Sequence, residues 1–192
     1  EGMSAEGSPV STTPASERTW LPHRGRLRVG VVGLGMGRHH IEGWRQHPEV
    51  DVVAIADPDP KRLAAVGDEF GIAGRHADLD TLLAAGAPDV VSIVTPNAFH
   101  HDLTLKALAA GCHVLCEKPL AMTAEQCRAM IAAADAAGRR LMVNLSYRFS
   151  AASRQLKAQV DAGVFGRFYA GRTLWHRRRG MPGFGGWFGQ KA

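Results

Sequence analysis

Residues 28–40 read RVGVVGLGMGRHH, and this stretch decides the fold. An apolar run leads directly into Gly33, Gly35 and Gly37, after which a basic segment begins a helix. A strand, a glycine-rich turn and a helix in this order are typical of a site for a nucleotide diphosphate. Glycines let the backbone approach the anion, and the free amides of the first helical turn face it. The usual fingerprint is G-x-G-x-x-G; here the third glycine comes one residue early and Arg38 stands in its place.

Length and composition limit the number of domains and the class of protein that the chain can form. A chain of 192 residues can hold one complete domain and part of another, and 45% apolar residues are enough for a core. No run of 18 apolar residues occurs, so we expect no membrane-spanning helix. Residues 1–25 are rich in Ser, Thr, Pro and Gly and have no apolar segment like that of a secretory signal, which predicts a disordered leader.

Cysteine use indicates the compartment. Cys112, Cys116 and Cys127 are an odd number and include no pair at the spacing of a metal site, so we predict no metal. On one strand, Cys112 and Cys116 would lie about 13 Å apart at roughly 3.3 Å per residue, which is too far for a disulfide. The pattern favours a reduced, cytoplasmic protein.

The net charge of +5 is unevenly distributed. Residues 1–138 carry 12 Lys and Arg against 17 Asp and Glu, whereas residues 139–192 carry 11 Lys and Arg against a single acid, Asp161. A basic tail can bind nucleic acid. The alternative, which we favour, is a second domain present only in part, without its acidic half.

Strand-like and helix-like segments alternate along residues 26–147. Strand patterns occupy residues 26–33, 50–56, 75–77, 89–94, 113–116 and 140–145, and helix patterns occupy residues 36–47, 61–70, 79–85, 100–110 and 123–138. This alternation predicts βαβ units and an α/β fold with a doubly wound parallel sheet, the Rossmann dinucleotide-binding architecture. Residues 148–192 then predict the start of an incomplete α+β domain, with a helix over 151–160 and a strand over 168–178.

Polar residues collect at the carboxyl ends of the predicted strands, where doubly wound sheets bind their ligands. Asp57 ends the second strand, 24 residues after Gly33, where an acid accepts hydrogen bonds from ribose hydroxyls and favours NAD. Lys61 and Arg62 are near enough to hold a 2′-phosphate, which leaves NADP as an alternative. An ordinary Asp-Pro turn is the structural alternative for Asp57.

Lys118 follows the fifth strand within the sequence Glu117-Lys118-Pro119. Beside a carboxylate and a bound cofactor, such a lysine can orient a substrate hydroxyl and relay its proton. A solvent-facing lysine before a proline turn is the alternative. The adjacent histidines at 39–40 and 100–101 point in different directions on a helix, so we expect surface or capping roles for them and no metal ligation.

These motifs together resemble the Gfo/Idh/MocA oxidoreductases, the group of glucose-fructose oxidoreductase and inositol dehydrogenase. The resemblance runs from about residue 26 to residue 192. It rests on VGVVGLGMGRHH, AIADPDP, VSIVTPNAFHHDLTLKALAAGCHVLCEKPLA, LMVNLSYRFS and VFGRFYAGR. The combination of TPN-x-x-H with EKPLA at this spacing is far more specific than the glycines.

The resemblance implies a role for each site residue. Lys118 would be the catalytic lysine, Asp57 would bind the adenosine ribose, and Glu117 would contact the nicotinamide ribose. Pro119 would follow a cis peptide. The cofactor would be NAD, or NADP. Its implied contacts are Gly33, Leu34, Gly35, Met36, Gly37 and Arg38 at the pyrophosphate, Thr95, Pro96, Asn97, His100, Glu117 and Lys118 along the nicotinamide half, and Asn144 and Arg148 near the nicotinamide and the substrate. Trp187 corresponds loosely to a pocket tryptophan of the family.

The implied activity is hydride transfer between nicotinamide and a hydroxyl-bearing carbon of a sugar, cyclitol or related polyol. The family's second catalytic motif, D-x-x-x-H-x-x-D, is absent from this sequence, as is most of the substrate-binding sheet that also forms the oligomer surface. We therefore expect a fragment of a homo-oligomeric enzyme, with no nucleic-acid or membrane partner. Two alternatives stay open, an NAD-dependent glycosidase of the same fold and a non-catalytic NAD(P)-binding regulator.

Overall fold

The computed structural model describes residues 25–174 and 176, where strands and helices alternate. The strands are β1 (Leu27–Val32), β2 (Val50–Ala56), β3 (Gly74–His76), β4 (Val90–Ile93), β5 (His113–Cys116) and β6 (Leu141–Val143). The helices are α1 (Leu34–Arg45), α2 (Pro60–Glu69), α3 (Leu79–Gly86), α4 (His100–Ala109), α5 (Ala124–Ala136) and α6 (Ala151–Asp161), with 3₁₀ turns at Asn97–Phe99 and Ser146–Phe149.

The six strands form one parallel sheet in the order β3-β2-β1-β4-β5-β6. The chain builds one half of the sheet outward from β1 and then returns to start the other half at β4. Loops that leave β1 and β4 therefore diverge at the carboxyl edge of the sheet and open a crevice between them. This topology confirms the predicted doubly wound α/β fold.

Both faces of the sheet are covered, which explains the unbroken apolar character of the central strands. On one face, Val29 and Val31 of β1 pack with Leu34 and Ile41 of α1 and with α2. On the other face, Val32 packs in a core that includes residues from α3, α4 and α5. Because successive strand residues point to opposite faces, β1 contributes to both cores at once.

The helix starts follow local rules in the sequence. Asp59 caps α2 by accepting hydrogen bonds from the amides of Lys61 and Arg62. Thr123 caps α5 by accepting from the amide of Gln126, as the capping-box pattern predicts. Helix α1 begins at Leu34, two residues earlier than predicted. Gly33, with φ +89°, is the single residue between the end of β1 and the start of this helix.

The prediction of a strand over residues 168–178 is wrong for the described part of that range. Residues 168–174 are exposed and have no regular structure, since a strand needs a neighbour and none lies beside them within the described residues. Helix α6 agrees with its prediction, but it packs on the preceding 3₁₀ turn and buries none of its residues. Trp187 and the predicted leader up to residue 24 lie outside the described residues.

Within residues 25–174 and 176, no helix is both long and apolar enough to span a membrane. The three cysteines are free thiols.

Candidate functional site

A cavity of about 650 Å³ opens at the carboxyl edge of the sheet, between the loops that follow β1, β2, β4 and β5. Nine of the predicted site residues line it, although they come from four separate segments of the chain. They are Gly33, Gly35, Met36, Asp57, Thr95, Pro96, Asn97, Glu117 and Lys118. The parallel topology thus brings together the strand-end residues that the sequence pattern singled out.

The three glycines of the glycine turn, residues 33–37, have three different surroundings. A Cβ on Gly33 would lie 2.7 Å from the carbonyl oxygen of Val94, so this position has no room for a side chain. A Cβ on Gly35 would meet nothing within 4 Å, and this residue lines the cavity. A Cβ on Gly37 would lie 3.1 Å from Cγ1 of Val31, which makes Gly37 the close contact between α1 and β1.

The first turn of α1 faces the cavity, and its N-cap residue, Gly33, has no side chain that could cap the turn. Its amides carry a partial positive charge and have no intrahelical acceptor. One of them, the amide of Leu34, donates instead to Oδ2 of Asp57 at 2.8 Å. The helix start next to Gly35 is therefore suited to an anion.

Asp57 is 2% exposed, and its carboxylate is largely occupied by the protein itself. Besides the bond from Leu34, Oδ1 accepts from the amide of Asp59 at 2.9 Å. The guanidinium of Arg62 lies 3.0 and 3.2 Å from the two oxygens, and it also pairs with Asp59. Asp57 thus connects the glycine turn to the end of β2, while Arg62 covers it at the rim of the cavity.

Hydrogen bonds from the amides of Arg62 and Lys61 lower the pKa of the Asp59 carboxyl. Its negative charge adds to that of Asp57 at this end of the cavity. Two carboxylates therefore stand against the half-exposed guanidinium of Arg62 at the predicted ribose end.

His100 is fully buried beneath the loops that follow β4 and β5. Its Nδ1 is 2.8 Å from the carbonyl oxygen of Pro119, and its Nε2 is 2.9 Å from that of Thr95. The ring therefore ties the loop after β4 to the loop after β5. It does not line the cavity itself.

Glu117 and Lys118 form the end of the cavity nearest β5. Oε1 of Glu117 lies 3.0 Å from Nε2 of His40 and accepts from Nδ2 of Asn144 at 2.6 Å, while Oε2 accepts from the amide of Lys118 at 3.1 Å. Burial raises the pKa of Glu117, but the bonds from His40, Asn144 and Lys118 outweigh it and hold the pKa below its usual value. The Lys118 side chain is exposed to the cavity, and the Lys118–Pro119 peptide is cis, as expected.

The other predicted site residues stand apart from the cavity lining. Leu34 is a buried core residue, and Asn144 reaches the site through Glu117. Arg38 points along the protein surface and pairs with Glu69 of α2. Arg148 is exposed on the 3₁₀ turn after β6. The cofactor-binding roles assigned to all these residues remain predictions.

Two residues at the site were missed by the sequence interpretation. Arg62 was considered only for a 2′-phosphate, yet it covers Asp57. His40 was expected at the helix surface, yet its side chain is 8% exposed and contacts Glu117. The available signal for His40 was its place in α1, nearly two helical turns after Gly33. Among the described residues, no group of three His, Cys, Asp or Glu side chains forms a metal site.

Comparison with known proteins agrees with this geometry. A family model described as "Oxidoreductase family, NAD-binding Rossmann fold", that of the Gfo/Idh/MocA proteins, matches residues 27–145. The D-glucoside 3-dehydrogenase of Escherichia coli (strain K12) is 39% identical over 161 residues, which cover 83% of this chain and 46% of that protein. An inositol 2-dehydrogenase of Pseudomonas savastanoi is 37% identical over 144 residues, which cover 73% of this chain and 43% of that protein.

A solved structure gives the same result. The WlbA dehydrogenase from Bordetella pertussis, in complex with NADH and UDP-GlcNAcA, matches with a TM-score of 0.71 and 34% identity, over 75% of this chain and 45% of that one. The chain spans less than half of the length of each of these relatives. It belongs to the Gfo/Idh/MocA family of oxidoreductases, and its described fold is the NAD-binding Rossmann fold of that family.

Proposed function

We propose that the cavity binds NAD(H) and that the full protein is an NAD(P)-dependent dehydrogenase. The observation that carries this proposal is the uncapped first turn of α1, which faces the cavity beside the open side of Gly35. Backbone amides with no intrahelical acceptor and a position without a side chain fit a pyrophosphate. Arg62, which follows β2, and Lys118, which follows β5, both line the cavity, so it extends to both sides of the glycine turn.

At the ribose end, Asp57 and Asp59 favour NAD over NADP. A 2′-phosphate would have to approach both carboxylates, and the guanidinium of Arg62 that could neutralise it is already paired with them. Ribose hydroxyls, by contrast, donate hydrogen bonds that a carboxylate accepts.

At the other end, Lys118 is the proposed catalytic residue. When bound, nicotinamide supplies the acceptor for a hydride. Lys118 Nζ holds the substrate hydroxyl and takes part in removing its proton. Glu117 keeps the Lys118 peptide in place, because the Lys118 amide donates a hydrogen bond to Oε2 of Glu117. His100 fixes the carbonyl groups that flank this end of the cavity.

The proposed substrate class is a sugar, cyclitol or related polyol, which is supported by relatives that are named a D-glucoside 3-dehydrogenase and an inositol 2-dehydrogenase. The proposal includes a cytoplasmic location, supported by the three free thiols, and homo-oligomerisation of the full protein without a nucleic-acid partner.

Fluorescence titration of the chain with NADH tests the cofactor site. The chain should bind NADH, and Gly35→Leu should raise Kd by about tenfold or more, the effect of ~1.4 kcal/mol, because the new side chain enters the space beside the helix start. Gly43→Leu is the matched control, since Gly43 lies on the same helix with equal space around its Cβ. Failure of the chain to bind NADH would overturn the proposal.

Turnover by the full-length protein tests the chemistry. Oxidation of a sugar or cyclitol with formation of NADH supports the dehydrogenase. Release of sugar from a glycoside without net formation of NADH would identify the glycosidase alternative instead. Cofactor binding without any turnover would identify the regulator.

A further inference from the structure

His40 is placed on the same helix as the proposed pyrophosphate site but reaches the opposite end of the cavity. Helix α1 begins at the glycine turn, and His40 comes near its middle. Its side chain extends to Glu117, 77 residues further along the chain and directly before Lys118. The helix thus touches both ends of the site.

The orientation of the helix leaves His40 little freedom. Ile41 is fully buried against the sheet on the core-facing side of α1. Trp44, one turn after His40, donates from Nε1 to Oγ of Ser92 at 2.8 Å, and Ser92 is a fully buried residue of β4. These contacts fix the rotation of α1 about its axis, so they also fix the direction in which His40 points.

The side chains of His40, Glu117 and Asn144 form one hydrogen-bonded cluster. Nε2 of His40 lies 3.0 Å from Oε1 of Glu117 and 3.4 Å from Nδ2 of Asn144. The Glu117 carboxylate can only accept, so the shorter of these contacts assigns the hydrogen to Nε2 of His40, which donates it. Asn144 likewise donates from Nδ2 to the same oxygen, Oε1. Oε1 is therefore held from α1 and from the end of β6, which leaves Oε2 directed at the amide of Lys118.

We propose that His40 is a positioning residue of the cofactor site, which holds the Glu117 carboxylate, and through it the Lys118 peptide, in the conformation that meets the bound dinucleotide. The inference rests on the proposed function. It adds a residue that does not itself line the cavity and whose side chain contacts the lining residue Glu117. The energetic basis is preorganisation, because a carboxylate that is already oriented loses less freedom when the ligand binds.

Affinity for NADH tests the inference. His40→Ala should raise the Kd for NADH about tenfold, since a hydrogen bond to a charged group is lost. His40→Gln should restore most of the affinity, because its amide can still donate to Glu117. His39→Ala is the matched control: the neighbouring histidine is 68% exposed and pairs with Glu42 of α1, so the Kd should not change.

A purely structural role would lower the melting temperature without these differences in affinity. In a Glu117→Gln background, His40→Ala should therefore raise the Kd by less than it does in the wild-type chain, because the bond that it removes is already weakened. If His40→Ala does not fold, His40→Asn takes its place, since the shorter amide cannot reach Glu117.

The outcomes are distinguishable. A wild-type chain that does not bind NADH overturns the proposed function, and this inference with it. A wild-type chain that binds NADH, with an unchanged Kd in the folded His40 variant or with equal losses in the Ala and Gln variants, overturns the inference alone.

Discussion

Asp57→Asn is a direct test of how the glycine turn is held. The carboxylate of Asp57 accepts from the amide of Leu34 at Oδ2 and from the amide of Asp59 at Oδ1. An asparagine offers one oxygen and one NH₂ group. Whichever way the new amide turns, one of the two backbone amides faces another donor.

The cost follows from these contacts. A buried amide that loses its acceptor costs about 1–3 kcal/mol. The weakened pair with Arg62 adds only ~0.2–1 kcal/mol, because the guanidinium is 46% exposed. The total is about 1–4 kcal/mol, which corresponds to a fall in Tm of roughly 2–16 °C for a chain of this size.

Thermal unfolding followed by circular dichroism measures this change. Asp59→Asn is the matched control, because its carboxyl is half-exposed and asparagine caps a helix as well as aspartate does. We expect the control to change stability by less than about 0.5 kcal/mol. Equal Tm values for the two variants would refute the assignment of Asp57 as the support of the glycine turn.

The same position tests cofactor choice. Asp57→Ala should weaken NAD more than NADP, because the carboxylate that accepts from the ribose is lost while Arg62 is released for a 2′-phosphate. Titration with both cofactors gives the ratio of Kd values. An equal loss for the two would contradict the ribose assignment.

Lys118→Ala should leave the NADH affinity of the chain nearly intact and abolish turnover by the full-length enzyme; unchanged turnover would remove Lys118 from the mechanism. Gly33→Ala should lower the free energy of unfolding by about 1–3 kcal/mol, measured by urea unfolding, because φ is +89° and the new Cβ would contact the carbonyl oxygen of Val94. Glu117 has a lowered pKa in the folded state, so its contribution to stability is present above its unfolded pKa near 4.5 and is lost as the pH falls through the lower folded value. Glu117→Gln should accordingly flatten the acid side of the curve of stability against pH, and an unchanged acid slope would contradict this. Burial raises the pKa of Cys116 to about 12, so at pH 8 iodoacetamide should label the partly exposed Cys127 first; equal labelling rates, measured by mass spectrometry, would show that Cys116 is accessible.

The sequence predicts the sheet well because burial on both faces leaves a simple pattern. Val50–Ala56 and His113–Cys116 have the predicted bounds, since each is a short apolar run that ends abruptly at polar residues. The strand-end residues of the cavity could be predicted for a related reason. In a parallel sheet the carboxyl ends of all strands lie on one edge, so the order along the sequence is sufficient to bring them together.

Two features could not be predicted from the sequence. One depends on the rotation of a helix about its axis, and the other on whether a strand has a partner to pair with. His39 and His40 are adjacent in sequence, yet one is solvent-exposed and the other contacts Glu117. A single step along an α-helix rotates the side chain by about 100°, and the sequence does not fix the starting angle. Residues 168–174 alternate like a strand, but alternation cannot supply the partner that a strand requires.

The position of the third glycine, Gly37, one residue earlier than in the usual fingerprint, is also explained by the rotation of about 100° per residue along α1. A glycine is needed where α1 approaches β1 most closely, and here that position is Gly37, whose Cβ would press on Val31. Arg38 lies about 100° further around the helix, on the side that faces Glu69 of α2, where a long side chain has room. Gly37 therefore serves the close contact between helix and strand one residue earlier than in the usual fingerprint. The open position at Gly35 and the start of the helix beside it are kept.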